Sequence, residues 1–194
     1  MKVIVIIPAA GLGTRMSSAG GSKRSKPSAT KQFAELDGVP VLVRTLEKFA
    51  SSPEVSEIHV ALRGPELEPF RARVQGEFPQ ILAKKPVLVE GGEHRQESVG
   101  NALAQISAAP DDVVLVHDAV RPFITHEIIR DVIQAAQQYG AAIVGVPAVD
   151  TVKQVERTAG GALIKATIPR QQGAFPASCA RGFRVGAYQP RPCD

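Results

Sequence analysis

The sequence has little of what marks metal clusters, disulfide frameworks or nucleic-acid surfaces. It holds two cysteines, Cys179 and Cys193, whose spacing suits neither a metal site nor a disulfide framework and agrees with a reducing compartment. Aromatic residues make up only 5% of the chain, and no basic face interleaved with them is visible, which argues against nucleic acid as a partner. Long hydrophobic runs are missing too. No window approaches the roughly 18 apolar residues of a membrane-spanning helix, and the apolar opening Val3–Ile7 stops at Pro8, too early for the core of a secretory signal. These absences predict a cytoplasmic protein that binds neither membrane nor nucleic acid. Acidic residues are absent from one stretch, Ser17 to Lys31, where Lys23, Arg24, Lys26 and Lys31 supply four positive charges. The net charge of +4 is therefore local, and a local basic loop suits a small polyanion.

What is present begins with Pro8-Ala9-Ala10-Gly11-Leu12-Gly13-Thr14-Arg15-Met16. It follows an apolar run that reads as a buried strand. Two glycines spaced by one residue let a ligand approach the backbone closely, successive amides in such a turn form an anion-binding nest, and Arg15 adds a planar fork suited to phosphate oxygens. The next stretch, Ser17 to Thr30, is rich in Ser, Gly, Lys and Pro. It reads equally as a plain linker or as a lid over a bound phosphate.

The chain then alternates. Gly38-Val39-Pro40 opens a helix running through Phe49, with Val41, Leu42, Thr45, Leu46 and Phe49 as its buried stripe. Strands are expected at 57–62, 86–90, 113–116 and 141–146, with helices at about 65–75, 93–106 and from an N-cap at Thr125 to Tyr139, stopped by Gly140. This alternation predicts an α/β fold, a doubly wound and mostly parallel sheet. At 194 residues the chain is expected to be a single domain. The alternation breaks at Asp150–Glu156 and Ala162–Ile168, two strands joined by Arg157–Gly161, a hairpin. The arm, about 148–170, has no helix to cover it and is marginal alone, so a homodimer through the arm is expected. Residues 171–194 show no period of 2 or 3.6 and read as an atypical tail.

Ligands of parallel sheets bind beyond the carboxyl ends of the strands. Four polar clusters fall there: the glycine loop, Gly91-Gly92-Glu93-His94-Arg95, His117-Asp118-Ala119-Val120-Arg121-Pro122, and Pro147-Ala148-Val149-Asp150-Thr151. A dinucleotide fingerprint is excluded because Met16 stands where a third glycine is needed and Arg63, not a carboxylate, follows the second strand. A P-loop is excluded because no Gly-Lys-Ser/Thr follows the glycines. Asp118, in a row with Arg15, Lys31 and Arg121, either pairs with an arginine or holds a divalent cation between phosphates. No nucleophilic Ser/His pair suggests hydrolysis. Phosphoryl or nucleotidyl transfer, which needs positioning and neutralised charge, fits the inventory.

The glycine loop, Lys31-Gln32-Phe33, Gly91-Gly92-x-x-Arg95-x-x-Ser98-Val99, Val116-His117-Asp118-Ala119-Val120-Arg121-Pro122 and Asp150-Thr151-x-Lys153 together resemble the 2-C-methyl-D-erythritol 4-phosphate cytidylyltransferases of the non-mevalonate isoprenoid pathway. The resemblance implies a Rossmann-like nucleotidyltransferase fold. It also implies transfer of CMP from CTP to the acceptor's phosphate, with release of pyrophosphate. Arg15 and Lys31 would be catalytic, stabilising the pentacoordinate α-phosphate. Pro8, Ala9, Ala10, Gly11, Gly13 and Ala119 would line the nucleotide, with Gly91, Gly92, Glu93, Arg95 and Ser98 at the cytosine and ribose. Asp118 would hold magnesium and, with Arg121 and Thr151, meet the acceptor, while Arg170 would reach the partner subunit's substrate. The similarity read from these motifs runs from Lys2 to Arg170. After Arg170 the family's Thr-Pro-Gln segment, further helix and late lysine-bearing strand are not matched, and the expectation is an altered, for example frame-shifted, end. Two alternatives stay open here: ribitol 5-phosphate as acceptor, or a CTP-binding dimer with little activity.

Overall fold

The structure, a computed structural model, describes residues 1–11, 30–145, 149–158, 160–168 and 177–185. In chain order these form β1 (Val3–Pro8), a small hairpin of β2 (Glu35–Leu36) and β3 (Val39–Pro40), α1 (Val41–Ala50), β4 (Glu57–Leu62), α2 (Gly64–Glu77), β5 (Val87–Glu90), α3 (Arg95–Leu103), β6 (Val113–His117), α4 (His126–Tyr139), β7 (Ala141–Gly145), β8 (Lys153–Thr158), β9 (Gly161–Thr167) and β10 (Ala177–Arg184). Short 3-10 helices lie at Lys31–Phe33 and Pro79–Lys84.

The unbroken apolar run of β1 leaves no polar face, so both of its faces must be covered, and Val3 to Ile7 are all buried. β1 pairs in parallel with β4 on one side (Ile4↔Glu57 to Pro8↔Ala61) and with β6 on the other (Val3↔Val113 to Ile6↔Val116). β5 extends the parallel set beside β4. Helices cover both faces, as a doubly wound sheet requires. α1 buries Leu42, Val43, Leu46 and Phe49 along one stripe. On the opposite face, Ile4, Ile6, Val114 and Val116 meet Ala102 of α3. α4 begins as its sequence predicts, with the Thr125 hydroxyl accepting from the Ile128 amide at 3.2 Å, and ends at Gly140 with φ +83°.

Two local expectations change. Residues 38–40 do not open the helix. Asp37 and Gly38 carry φ of +52° and +74°, a turn whose twist suits a tight hairpin, and α1 starts only at Val41. The atypical tail contributes a strand. β10 runs antiparallel to β6, from Ala180↔His117 to Arg184↔Val113, in a sheet of order β5-β4-β1-β6-β10-β7. Gly182 makes this possible, because a Cβ there would sit 2.8 Å from Val132 Cγ1 of α4 and 3.0 Å from Leu115 Cδ2 of β6. The absence of a side chain lets the helix lie directly on the strand.

The chain divides into two compact units, Met1–Ala142 with Cys179–Asp194, and Ile143–Ser178. The second contains the β8–β9 hairpin, which is expected from the sequence. It pairs Lys153↔Thr167 through Thr158↔Gly161 with a register shift at Gln154/Val155, and its residues are exposed on both faces. The lid reading of Ser17 to Thr30 falls almost wholly outside the described residues, as do Lys23, Arg24, Lys26 and Cys193.

A buried histidine in β4 makes stability depend on pH. His59 is 3% exposed, and neither ring nitrogen has a hydrogen-bond partner. Burial therefore pushes its pKa below the ordinary value, with Glu57 opposing only in part. A histidine whose folded pKa is depressed contributes stability that is complete above its unfolded value of about 6.5 and is lost as pH falls. The melting temperature is expected to drop between about pH 7 and pH 5, above the carboxylate range, and His59→Leu should flatten part of that drop. Calorimetry across this window checks it. For the tail strand, Gly182→Val is expected to destabilise by roughly 1–3 kcal/mol through overpacking. Gly100→Ala, whose added Cβ meets open space, should leave the urea midpoint unchanged or raise it.

Candidate functional site

The parallel register brings the ends of β1, β4, β5 and β6 to one edge, and hydrogen bonds tie the loops that leave them. The Ala9 amide donates to the Ala61 carbonyl at 2.7 Å, and the Gly91 amide to the Leu62 carbonyl at 2.7 Å. The start of the glycine loop is thereby drawn against the loop after β5. A Cβ on Gly91 would lie 2.6 Å from Ala10 Cβ and 2.9 Å from Ser98 Oγ, so only glycine permits this approach. Ala9 and Ala10 are buried and Gly11 is exposed, which leaves Gly11 facing outward at the rim. Gln32, itself 4% exposed, donates from Nε2 to the Gly11 carbonyl at 3.4 Å. This contact joins the Lys31 segment to the loop.

The loop after β5 is held by the helix that follows it. Glu97 Oε2 accepts from the amides of Glu93 (2.9 Å) and His94 (3.3 Å), and the buried Ser98 hydroxyl accepts from the Gly92 amide at 3.2 Å. Glu97 stands three residues after the N-cap His94, the position from which a carboxylate caps its own helix. Gly92 is needed beside it, since a Cβ would fall 2.4 Å from the Glu97 side chain.

Arg95, in the first turn of α3, reaches the loop after β6. Its Nε and Nη2 donate to Asp118 Oδ1 at 3.2 and 3.0 Å, while Arg121 Nε lies 3.3 Å from Asp118 Oδ2. Asp118 thus carries one arginine on each oxygen. The bridge is about half exposed at its arginines, and pairs so placed are worth about 0–1 kcal/mol, so phosphate oxygens can take the arginines over at small cost. Of the two roles open to Asp118, arginine pairing is the one these side chains display. Among the described residues no group of three or more His, Cys, Asp or Glu side chains is gathered for a metal. A single, partly exposed carboxylate still fits magnesium that takes its other ligands from substrate phosphates and water.

The backbone of the Asp118 turn is fixed from below. The Arg121 amide donates to the Asp118 carbonyl at 3.2 Å. His117, fully buried, lies with Nε2 2.9 Å from the Arg121 carbonyl. That contact requires the proton on Nε2, and burial pushes the ring's pKa down, keeping it neutral. Ala119 is 4% exposed, and its carbonyl accepts from the Thr45 hydroxyl of α1 at 2.8 Å.

Of the residues expected from the sequence, the structure gathers Pro8, Ala9, Ala10, Gly11, Gly91, Gly92, Glu93, Arg95, Ser98, Asp118, Ala119 and Arg121 along this edge, with Lys31 next to Gln32. Arg15, Gly13 and Arg170 lie outside the described residues. Thr151 belongs to the second compact unit, where it is exposed. Sequence reasoning passed over Glu97 and Thr45. The His-x-x-Glu spacing before an apolar stripe could have revealed Glu97, whereas Thr45 gave no signal apart from a hydroxyl within the α1 stripe.

A profile of the 2-C-methyl-D-erythritol 4-phosphate cytidylyltransferases matches residues 3–189, so the likeness continues past Arg170 and through β10. The protein of that name from Acidobacterium capsulatum is 53% identical over 184 residues, covering 95% of this chain and 74% of the relative. That of Solibacter usitatus is 50% identical over 173 residues, covering 89% and 68%. Among solved structures, the Francisella tularensis 2-C-methyl-D-erythritol 4-phosphate cytidylyltransferase superposes with a TM-score of 0.71 at 31% identity, over 96% of this chain and 74% of that one. The Anaerococcus prevotii 4-diphosphocytidyl-2C-methyl-D-erythritol synthase, at 22% identity and a TM-score of 0.73 over 95% and 71%, shares the fold. With a profile match spanning most of its length and relatives at half identity, the chain belongs to the 2-C-methyl-D-erythritol 4-phosphate cytidylyltransferase family.

Proposed function

We propose that this chain transfers CMP from CTP to 2-C-methyl-D-erythritol 4-phosphate and releases pyrophosphate, a step of non-mevalonate isoprenoid synthesis. The observation that carries the reading is the convergence of three motif loops at one sheet edge. The Ala10–Gly91 approach and the Arg95–Asp118–Arg121 bridge hold them together.

In this reading the loop after β5, Gly91 to Arg95, presents its backbone to the cytosine beside the Ala10–Gly91 contact, with Ser98 at its edge. The amides from Gly11 through Gly13 cradle the triphosphate. Arg15 and Lys31 supply the positive charge that stabilises the charge developing as the acceptor phosphate attacks the α-phosphorus in line and pyrophosphate leaves. Asp118 would supply one oxygen to magnesium, which neutralises triphosphate charge when bound. Arg95 and Arg121 exchange Asp118 for ligand phosphate or hydroxyl oxygens, a trade made cheap by their exposure. Arg121 and Thr151 meet the acceptor, and Arg170 reaches the site of a partner subunit.

The same reading makes the arm, residues 148–170, the dimer contact of a cytoplasmic enzyme whose single catalytic domain includes the tail from residue 171. It draws support from exposed apolar residues on a two-stranded element. Val155 and Ile164 pair across the strands and are 47% and 64% exposed, and a second copy is a suitable cover for them. No helix among the described residues is long and apolar enough to cross a membrane.

Two outcomes are expected. The purified chain releases pyrophosphate from CTP when 2-C-methyl-D-erythritol 4-phosphate is supplied, and Arg15→Ala lowers that turnover about hundredfold or more with an unchanged urea midpoint; near-normal turnover in the variant removes Arg15 from its role. In sedimentation at micromolar concentration the chain runs at twice its monomer mass, and Ile164→Glu converts it to monomer. A wild-type monomer contradicts the arm contact.

A further inference from the structure

α1 lies beneath the Asp118 turn and touches it at two points four residues apart along one helical face. Thr45 and Phe49 are both fully buried, and an i, i+4 pair points the same way from a helix. Phe49 meets the His117 ring edge-on, with centroids 5.0 Å apart at 64°. This contact holds the ring that reaches the Arg121 carbonyl. One turn earlier, the Thr45 hydroxyl has two acceptors within reach, Val41 O of its own helix at 3.0 Å and Ala119 O at 2.8 Å. A hydroxyl has a single hydrogen, and the shorter contact is the one to the turn. The carbonyl it holds belongs to Ala119, next after Asp118 and two before Arg121, the two side chains expected to meet magnesium and acceptor.

We propose that Thr45 is a positioning residue for nucleotidyl transfer: its hydroxyl bolts the Ala119 carbonyl to α1 and so sets where Asp118 and Arg121 point. The proposal rests on the cytidylyltransferase reading of the site. Without the hydroxyl, the Ala119 carbonyl is buried and unpaired, and the turn relaxes toward another donor. A shift of about 1 Å in catalytic groups costs up to roughly hundredfold in rate. In that reading CTP binding leans mainly on the loops after β1 and β5, whereas the Thr45 hydroxyl bonds the turn after β6, so a defect in this bolt falls on kcat rather than on nucleotide affinity.

The test compares Thr45→Val, which keeps the shape and removes the hydroxyl, with Thr45→Ser, which keeps the hydroxyl. The readouts are kcat with CTP and 2-C-methyl-D-erythritol 4-phosphate, the dissociation constant for CTP alone, and deuterium exchange of the Arg121 amide that bonds the Asp118 carbonyl. The expected results for Thr45→Val are kcat lower by about tenfold to hundredfold, a CTP dissociation constant within about twofold of wild type, and faster Arg121 exchange. Thr45→Ser recovers most of the rate and the protection. Wild-type kcat and exchange in Thr45→Val, or an equal loss in both variants, overturns the proposal in favour of packing alone. A wild-type chain without turnover overturns the functional reading instead, and the exchange comparison still decides whether Thr45 holds the turn.

Discussion

The constraint on which the rest depends is the parallel pairing of β1 with two strands at once. β1 takes β4 on one side and β6 on the other in continuous register, and β5 follows beside β4. Parallel strands all point one way, so the loops leaving their carboxyl ends must share an edge. Ala9, Gly91 and Asp118, far apart in the chain, become neighbours for that reason. The apolar continuity of Val3–Ile7 stabilises this arrangement because those side chains are buried on both faces. A polar residue in that run would have to be buried without a partner.

At that edge the molecule trades bulk for reach. Gly91 and Gly92 lack the Cβ atoms that would collide with Ala10, Ser98 and Glu97, and the space gained lets backbone approach backbone. Rigidity comes from side chains that hold the backbone: buried Ser98 at the Gly92 amide, the more exposed Glu97 at the next two amides, and buried Thr45 and His117 at the turn carbonyls. Charge sits outside this fixed frame. Arg95, Asp118 and Arg121 are partly exposed and paired with one another. Fixed backbone with exchangeable charges is the arrangement that phosphate transfer requires, since catalysis there comes from placing neutralising groups more than from covalent chemistry.

Much of this was legible in the sequence, for physical reasons that also explain what was not. β1 and β6 announce themselves because strands buried on both faces are continuous in apolar residues, while β4 carries His59 within its run and the edge strand β5 leaves Val87 exposed. The caps of α4 were visible in Thr125 and Gly140 for an equally local reason. β10 was hidden. Its Ala180-Arg181-Gly182-Phe183 carries small residues where a helix crosses and an arginine on the exposed side, so its strand character comes from Val132 and Leu115 around it rather than from its own propensity. The β2–β3 hairpin spans two residues a side, below any periodicity, and only the Asp37-Gly38 pair marks it. In the site, motif residues at strand ends were readable as chemistry. Thr45 was not, because its partner is 74 positions away and a buried hydroxyl within an apolar stripe looks like packing. The Asp118 carboxylate carries two readings in the sequence, since the arginine on each of its oxygens depends on tertiary placement.

Under the proposed function the site is a cradle that lowers the barrier to a single in-line displacement with no covalent step on the protein. The stereochemistry at the reacting phosphorus tests this most directly. CTP carrying sulfur as one diastereomer at the α-phosphorus, turned over with 2-C-methyl-D-erythritol 4-phosphate, is predicted to give product of inverted configuration. Retention would require two displacements through a nucleotidylated side chain and would contradict the account.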